Sequence, residues 1–125
     1  MKAFDTFVKT IADLRGENGC PWDIKQTHES LKECLVEETN EVLEAIDKQD
    51  DDNLCEELGD VLLQVVMHAQ IAAEEGRFTI EDVIQGVNEK MIRRHPHVFG
   101  DAKVESVEEG LSLWEQIKQE EKASK

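Results

Sequence analysis

Basic residues are scarce in this chain: 14 Lys and Arg stand against 29 Asp and Glu, a formal net charge of -15. A protein that tracks a nucleic-acid backbone needs a basic surface, so that function class is excluded. A nucleotide substrate is not, because metal ions can offset the acid while a few basic residues cluster locally. Cysteines are few, Cys20, Cys34 and Cys55, widely spaced and without a CxxC pair. Neither a disulfide framework nor a cysteine zinc site follows, and they read as reduced thiols of a cytoplasmic protein, Cys34 packed inside it. No apolar run approaches the roughly 20 residues of a membrane span, and the opening residues do not read as a signal peptide, so no membrane partner is expected. Strand patterns, internal repeats and long linkers are also missing. The length, 125 residues, suits one domain that buries about two thirds of its unfolded surface.

What is present is helical periodicity. Phe4, Phe7, Val8, Ile11 and Leu14 share one face of a first helix over about residues 3–15, interrupted by Gly16 and the Gly19-Cys20-Pro21-Trp22-Asp23 stretch. The spacing predicts a second helix from an N-cap at Thr27 to about Lys48. Asp50-Asp51-Asp52-Asn53 forms a turn, and Asn53 with Glu56 has capping-box spacing at the start of a third helix, to about Glu75. Between Val61 and Ala73 that helix is apolar almost all round, which marks burial on several sides or a subunit interface. Gly76 ends it, Thr79 opens a fourth helix bearing Ile80, Val83, Ile84, Val87 and Met91, and Pro96 stops that one. Ser106 with Glu109 repeats the capping-box spacing ahead of a final helix carrying Leu111, Leu113, Trp114 and Ile117. The pattern gives out after Lys118, where the tail is expected to fray. The expected fold class is all-α, a bundle.

Two i,i+3 carboxylate pairs stand on neighbouring helices, Glu38 with Glu41 and Glu57 with Asp60. Leu31, Cys34, Leu35, Val42, Ala45 and Ile46 line one face of the second helix, and Glu38 falls inside that arc with Glu41 on its edge. Glu37 and Glu44 point further out. An ionised carboxylate facing a core is costly without a cation or hydrogen-bonding partner. Two such pairs facing each other offer oxygen ligands only, which suits Mg²⁺ or Mn²⁺ rather than zinc or copper. The bland alternative is a solvated acidic face, since ExxE is common on soluble helices. Gly59, inside the second pair, points to close packing or ligand approach, because Gly within a helix costs about 1 kcal/mol relative to Ala. A ferritin-like di-iron site is excluded: Val65 precedes His68 and Lys25 precedes His28 at the position where Glu would be needed.

Taken in order, Glu37-Glu38-x-x-Glu41, Glu57-x-x-Asp60, the Gly19–Asp23 loop with Gln26-Thr27-His28, Glu75-Gly76-Arg77-Phe78 and Arg93-Arg94-His95-Pro96-His97-Val98-Phe99 resemble the MazG-like all-α nucleoside triphosphate pyrophosphohydrolases. The resemblance spans nearly the whole chain. It implies a four-helix-bundle-type core with an additional helix, association into a homodimer or higher homo-oligomer, and Mg²⁺-dependent cleavage of a nucleoside triphosphate to monophosphate and pyrophosphate, with Mn²⁺ able to substitute. By position it makes Glu38, Glu41, Glu57 and Asp60 metal ligands and Glu37 a support or a general base. It makes Lys90 and Arg94 phosphate-gripping cations and sets Trp114 near the nucleotide. Cys34 stands where some members carry Lys, which implies fewer phosphate contacts or a substitute in Lys32. The chain looks most like the first of the two copies in longer MazG proteins, so a fragment, or a copy of reduced activity, is also implied.

Without the resemblance, several of these residues read more plainly. Lys90 and Arg94 are i,i+4 on one helix face, and cations there cap a helix C-terminus for up to about 1 kcal/mol. Arg93 points elsewhere, toward surface acids. Trp114 reads as core, the Pro21–Asp23 segment as a loop anchor, and His28, His95 and His97 as structural. The competing functional reading is an interaction or regulatory module with structural metal at most; a weaker one is an acidic protein that covers a basic partner surface.

Overall fold

The structure, a computed structural model, describes residues 1–124, and among them every regular element is a helix. Backbone contacts divide the chain into two compact units, Met1–Ile80 and the segment from Glu81 onward.

The first unit contains α1 (Lys2–Leu14), a short α2 (Pro21–Lys25), α3 (Lys32–Asp47) and α4 (Asp51–Glu74). The apolar face of α1 lies against α4, so Ile11 joins Leu31, Val66, Met67 and Ile71 in the core, with Phe4, Phe7, Val8 and Leu14 around them. Ile11 and Val66 are fully buried, and each contributes about 1.5–3 kcal/mol through burial. Cys34 is half-buried against this cluster, as its pattern implied.

Turn chemistry places α3 against α4. α3 ends with the left-handed Gln49 (φ 55), whose amide donates to the Ile46 carbonyl while that of Asp50 donates to Ala45. This is a Schellman arrangement with a residue other than glycine at its left-handed position. Asp50 then caps α4 by accepting the Asn53 amide at 3.1 Å. The cap is therefore Asp50 rather than the expected Asn53, because the chain has already turned before Asp51. Two helices joined by Lys48, Gln49 and Asp50 can only pack antiparallel. At the start of the hairpin, Thr27 accepts the Ser30 amide at 3.1 Å as an N-cap would, but the following residues form a turn and α3 begins at Lys32. At the far end, Gly76 (φ 70) closes α4 in a second Schellman motif, with Arg77 donating to Ala72 and Gly76 to Ala73.

The loop between α1 and α3 is anchored through Arg15. Its guanidinium donates to the carbonyls of Asp23 at 2.6 Å and Gln26 at 2.9 Å, and to Glu74 on α4. Gly19 is obligatory here, because a Cβ at that position would overlap the Leu14 carbonyl. The helical turn of α2 within this loop was not evident in the pattern; Pro21 opens it at N1, where a missing N–H costs nothing.

The second unit contains most of α5 (Ile80–Arg93), a single turn α6 (Pro96–Phe99) and α7 (Val107–Ala123). Pro96 ends one helix and opens the next. Ser106 caps α7 by accepting the Glu109 amide at 3.2 Å, and Glu109 reaches back to the amide of Glu105 at 2.8 Å. α7 keeps helical geometry to Ala123, past the Lys118 at which the pattern weakens; Lys125, the end of that tail, lies outside the described residues. No helix among the described residues is long and apolar enough to cross a membrane.

Candidate metal centre

The α3–α4 hairpin brings both carboxylate pairs to one point. One oxygen each from Glu38, Glu41, Glu57 and Asp60 lies within 4.8 Å of the others. Glu57 is buried, Glu38 and Asp60 are half-buried and Glu41 is exposed. The inward arc of α3 runs through Leu31, Cys34, Glu38, Val42 and Ala45, so Glu38 sits at its middle. Leu35 and Ile46, which share that face by helical angle, stand at 39% and 51% exposure, at the margins of the arc that α4 covers. Glu37 is exposed, as its helical angle required.

The electrostatics follow from this crowding. Hydrogen bonding with Glu41, then burial, then the charges of Glu41, Asp60 and Glu38 push Glu57 up to about 7. Burial first, then the charges of Glu41 and Asp60, raise Glu38. Glu38 Oε2 and Glu57 Oε2 are both buried without a hydrogen-bond donor, an arrangement that costs free energy as it stands. Donors made only of carboxylate oxygen, two of them orphaned, fit a hard divalent cation. Apart from its chain neighbours and the local backbone of α4, no atom of the described residues lies within 4 Å of a Cβ placed on Gly59, so close packing against another element does not account for that glycine.

The basic residues and Trp114 belong to the second unit. Lys90 and Arg94 line a cavity of about 820 Å³ with Arg93, Pro96, Ile117, Glu120, Glu121 and Ser124. Arg93 pairs with an acid, as expected, but that acid is Glu121 of α7, which Arg94 binds as well. Trp114 is half-buried under the Arg94 guanidinium, 5.0 Å from its ring centroid, with the His95 ring edge-on at 5.3 Å. His95 Nδ1 lies 2.6 Å from the Met91 carbonyl and donates to it, a structural role as read from the sequence. Lys32 pairs with Glu29 on the exposed start of α3.

Three features went unread in the sequence. Gln64 is 93% buried (7% exposed) one turn beyond Asp60, and its Oε1 has no donor; a polar residue i+4 from a ligand-type carboxylate inside an apolar helix was the available signal. His28 and His68 meet Nδ1 to Nδ1 at 2.7 Å, and Arg77 Nη2 lies 2.6 Å from His28 Nε2. Arg can only donate, so His28 accepts at Nε2 and donates from Nδ1 to His68, which leaves both rings neutral. The Arg93–Arg94–Glu121 junction joins residues too far apart in sequence to carry any local signal.

A model of the MazG nucleotide pyrophosphohydrolase domain matches residues 26–99. The uncharacterized protein YabN of Bacillus subtilis is 61% identical over 119 residues, which is 95% of this chain and 24% of YabN. The nucleoside triphosphate pyrophosphohydrolase/pyrophosphatase MazG of Thermotoga maritima is 59% identical over 122 residues, 98% of this chain and 46% of that protein. This chain thus spans less than half the length of either relative. The crystal structure of a MazG-related protein from Thermotoga maritima has a TM-score of 0.74 at 34% identity, over 95% of this chain and 99% of that one. Since the matched stretch takes in the whole hairpin and the Arg93–Phe99 segment, the chain belongs to the MazG nucleotide pyrophosphohydrolase domain family.

Proposed function

We propose that this domain hydrolyses nucleoside triphosphates to nucleoside monophosphate and pyrophosphate in the cytoplasm, clearing non-standard nucleotides, with Mg²⁺ held by Glu38, Glu41, Glu57 and Asp60 and Mn²⁺ able to replace it. The observation that carries this reading is the convergence of four carboxylate oxygens within 4.8 Å, two of the residues contributing buried oxygens without donors. Family membership supplies the reaction class, and the Thermotoga maritima relative bears that activity in its name. A divalent cation, when bound, neutralises polyphosphate charge and lowers the pKa of a coordinated water. Lys90 and Arg94 hold the phosphates, Arg through its planar fork and Lys as a point charge. Trp114 offers an aromatic face to the nucleotide. Glu37, exposed beside Glu38, acts as support or as general base, and the pH–rate profile of Glu37→Gln separates the two.

Self-association into a homodimer or higher oligomer belongs to the same proposal. Val36, Leu43 and Leu58, each more than half exposed on α3 and α4, are its motivation. The same residues favour the second reading, a catalytically weak module whose task is assembly.

The test is release of pyrophosphate and monophosphate from a panel of nucleoside triphosphates with Mg²⁺, Mn²⁺ or EDTA, with Glu38→Gln and Asp60→Asn alongside. Metal-dependent release that is lost in the folded variants is the expected result. No turnover across the panel would favour the assembly module.

A further inference from the structure

Arg94 is held on two sides within the second unit. Glu121 Oε1 accepts from Arg94 Nη2 at 2.8 Å and from Nε at 3.3 Å. The other oxygen, Oε2, accepts from Arg93 Nε at 2.5 Å. The guanidinium lies over Trp114, 5.0 Å from the ring centroid. Arg94 and Glu121 are largely enclosed, with side chains 16% and 20% exposed. A guanidinium has two edges that can donate in pairs, a lateral one from Nε and Nη2 and an end-on one from Nη1 and Nη2. Glu121 occupies the lateral edge and Trp114 covers a face. Nη1 makes no protein hydrogen bond among the described residues, and Arg94 lines the same cavity of about 820 Å³ as Lys90, which is also without an ion pair.

We propose that Glu121 is a positioning residue for polyphosphate: it fixes the roll of Arg94 so that the end-on edge is presented, ready-aligned, to a phosphate beside Lys90. Neighbouring residues on a helix project about 100° apart, so Arg93 and Arg94 would otherwise splay. One carboxylate from α7 gathers both guanidinium groups, and the cavity lining as a whole carries three cations, Lys90, Arg93 and Arg94, against two carboxylates, Glu120 and Glu121. An arginine locked before binding loses less side-chain entropy when the ligand arrives. Glu121 stays ionised throughout, because hydrogen bonds from Arg94 and then Arg93 hold its carboxyl at about 2. This inference rests on the reading that Lys90 and Arg94 grip phosphates.

The test measures calorimetric affinity of the intact chain for magnesium tripolyphosphate, with KM and kcat for a turned-over triphosphate. The chains compared are the original, Glu121→Gln, Glu121→Asp, Arg94→Ala, and Arg94→Ala with Glu121→Gln, each checked for helicity and Tm. Glu121→Gln keeps one acceptor but loses the charge, and is expected to weaken binding about tenfold and raise KM alike while kcat changes less than about twofold. Glu121→Asp recovers part of the affinity, and in the Arg94→Ala background Glu121→Gln adds nothing. If Arg94→Ala loses binding while Glu121→Gln binds as well as or better than the original chain, Glu121 is a plain helix-to-helix pair or a competitor for Arg94, and the inference falls alone. If Arg94→Ala itself binds normally, the phosphate-grip reading falls and this inference with it.

Discussion

Arg15→Met removes the guanidinium that anchors the α1–α3 loop while leaving most of the apolar stem in place. The two carbonyl contacts, at 2.6 and 2.9 Å to Asp23 and Gln26, are made by a side chain only 7% exposed. Each is a hydrogen bond to a charged donor, of the kind that contributes about 1.5–3 kcal/mol. Both carbonyls lie in a surface loop and regain water once the arginine is gone, so the lower end of that range applies to each. The Glu74 carboxylate is about a third exposed, and its ion pair adds less than about 1 kcal/mol. The expected loss is about 3 kcal/mol in denaturant unfolding, and for a unit the size of Met1–Ile80 that lowers Tm by roughly 12–24 °C. Amide exchange should quicken most at residues 20–28. The acid limb carries a second signature. Arg15 holds Glu74 below its ordinary value, so in the original chain that stabilisation is present above about pH 4.5 and is lost as pH falls through the lowered folded value. Arg15→Met should lose this component of the pH dependence. A stability loss under about 1 kcal/mol, or unchanged exchange at residues 20–28, would refute the idea that Arg15 organises the loop.

Without metal, Glu57 titrates at about 7, so its proton binds the folded chain more tightly than the unfolded one. That contribution is complete below about pH 4.5 and is lost as pH rises through 7; Tm against pH in EDTA should fall across this window, and saturating Mg²⁺ should remove or reverse the slope. Gln49→Gly relieves a left-handed residue (φ 55) and should raise stability by about 1 kcal/mol in denaturant titrations. Gly19→Ala drives a Cβ into the Leu14 carbonyl and should cost about 3 kcal/mol, because the neighbouring atoms are backbone and cannot turn aside; a loss below about 1 kcal/mol would show that the loop yields.

The hairpin was the most legible part of the molecule because its determinants are local. Periodicity placed Glu38 among apolar residues, and the spacing of each pair put two carboxylates on one face before any tertiary contact was considered. Capping was read less well where candidates were adjacent: Asp50 and Asn53 are both good caps, and the choice between them depends on where the backbone has already turned. α2 and α6 are too short for apolar periodicity to register. The exposure of Leu35 and Ile46 was not legible, because a helical wheel gives the direction of a side chain but not how far a neighbouring helix extends over it. The Glu121 junction and the His28–His68 pair are tertiary encounters across 27 and 40 residues, invisible to any reading by window.

The three-residue link between α3 and α4 also bears on how the chain reaches its fold. Contacts across so short a link close quickly, since little chain entropy is lost in forming them. Closing this hairpin, however, brings one carboxylate oxygen from each of four acidic side chains within 4.8 Å of the others. Repulsion therefore opposes the very step that topology makes fastest, and most strongly in alkaline, cation-poor solution. A divalent ion held by these carboxylates would act on refolding as well as on the finished site. Refolding in stopped flow should accelerate with Mg²⁺ and slow with rising pH in EDTA, and the substitution Glu38→Gln should make it less sensitive to both.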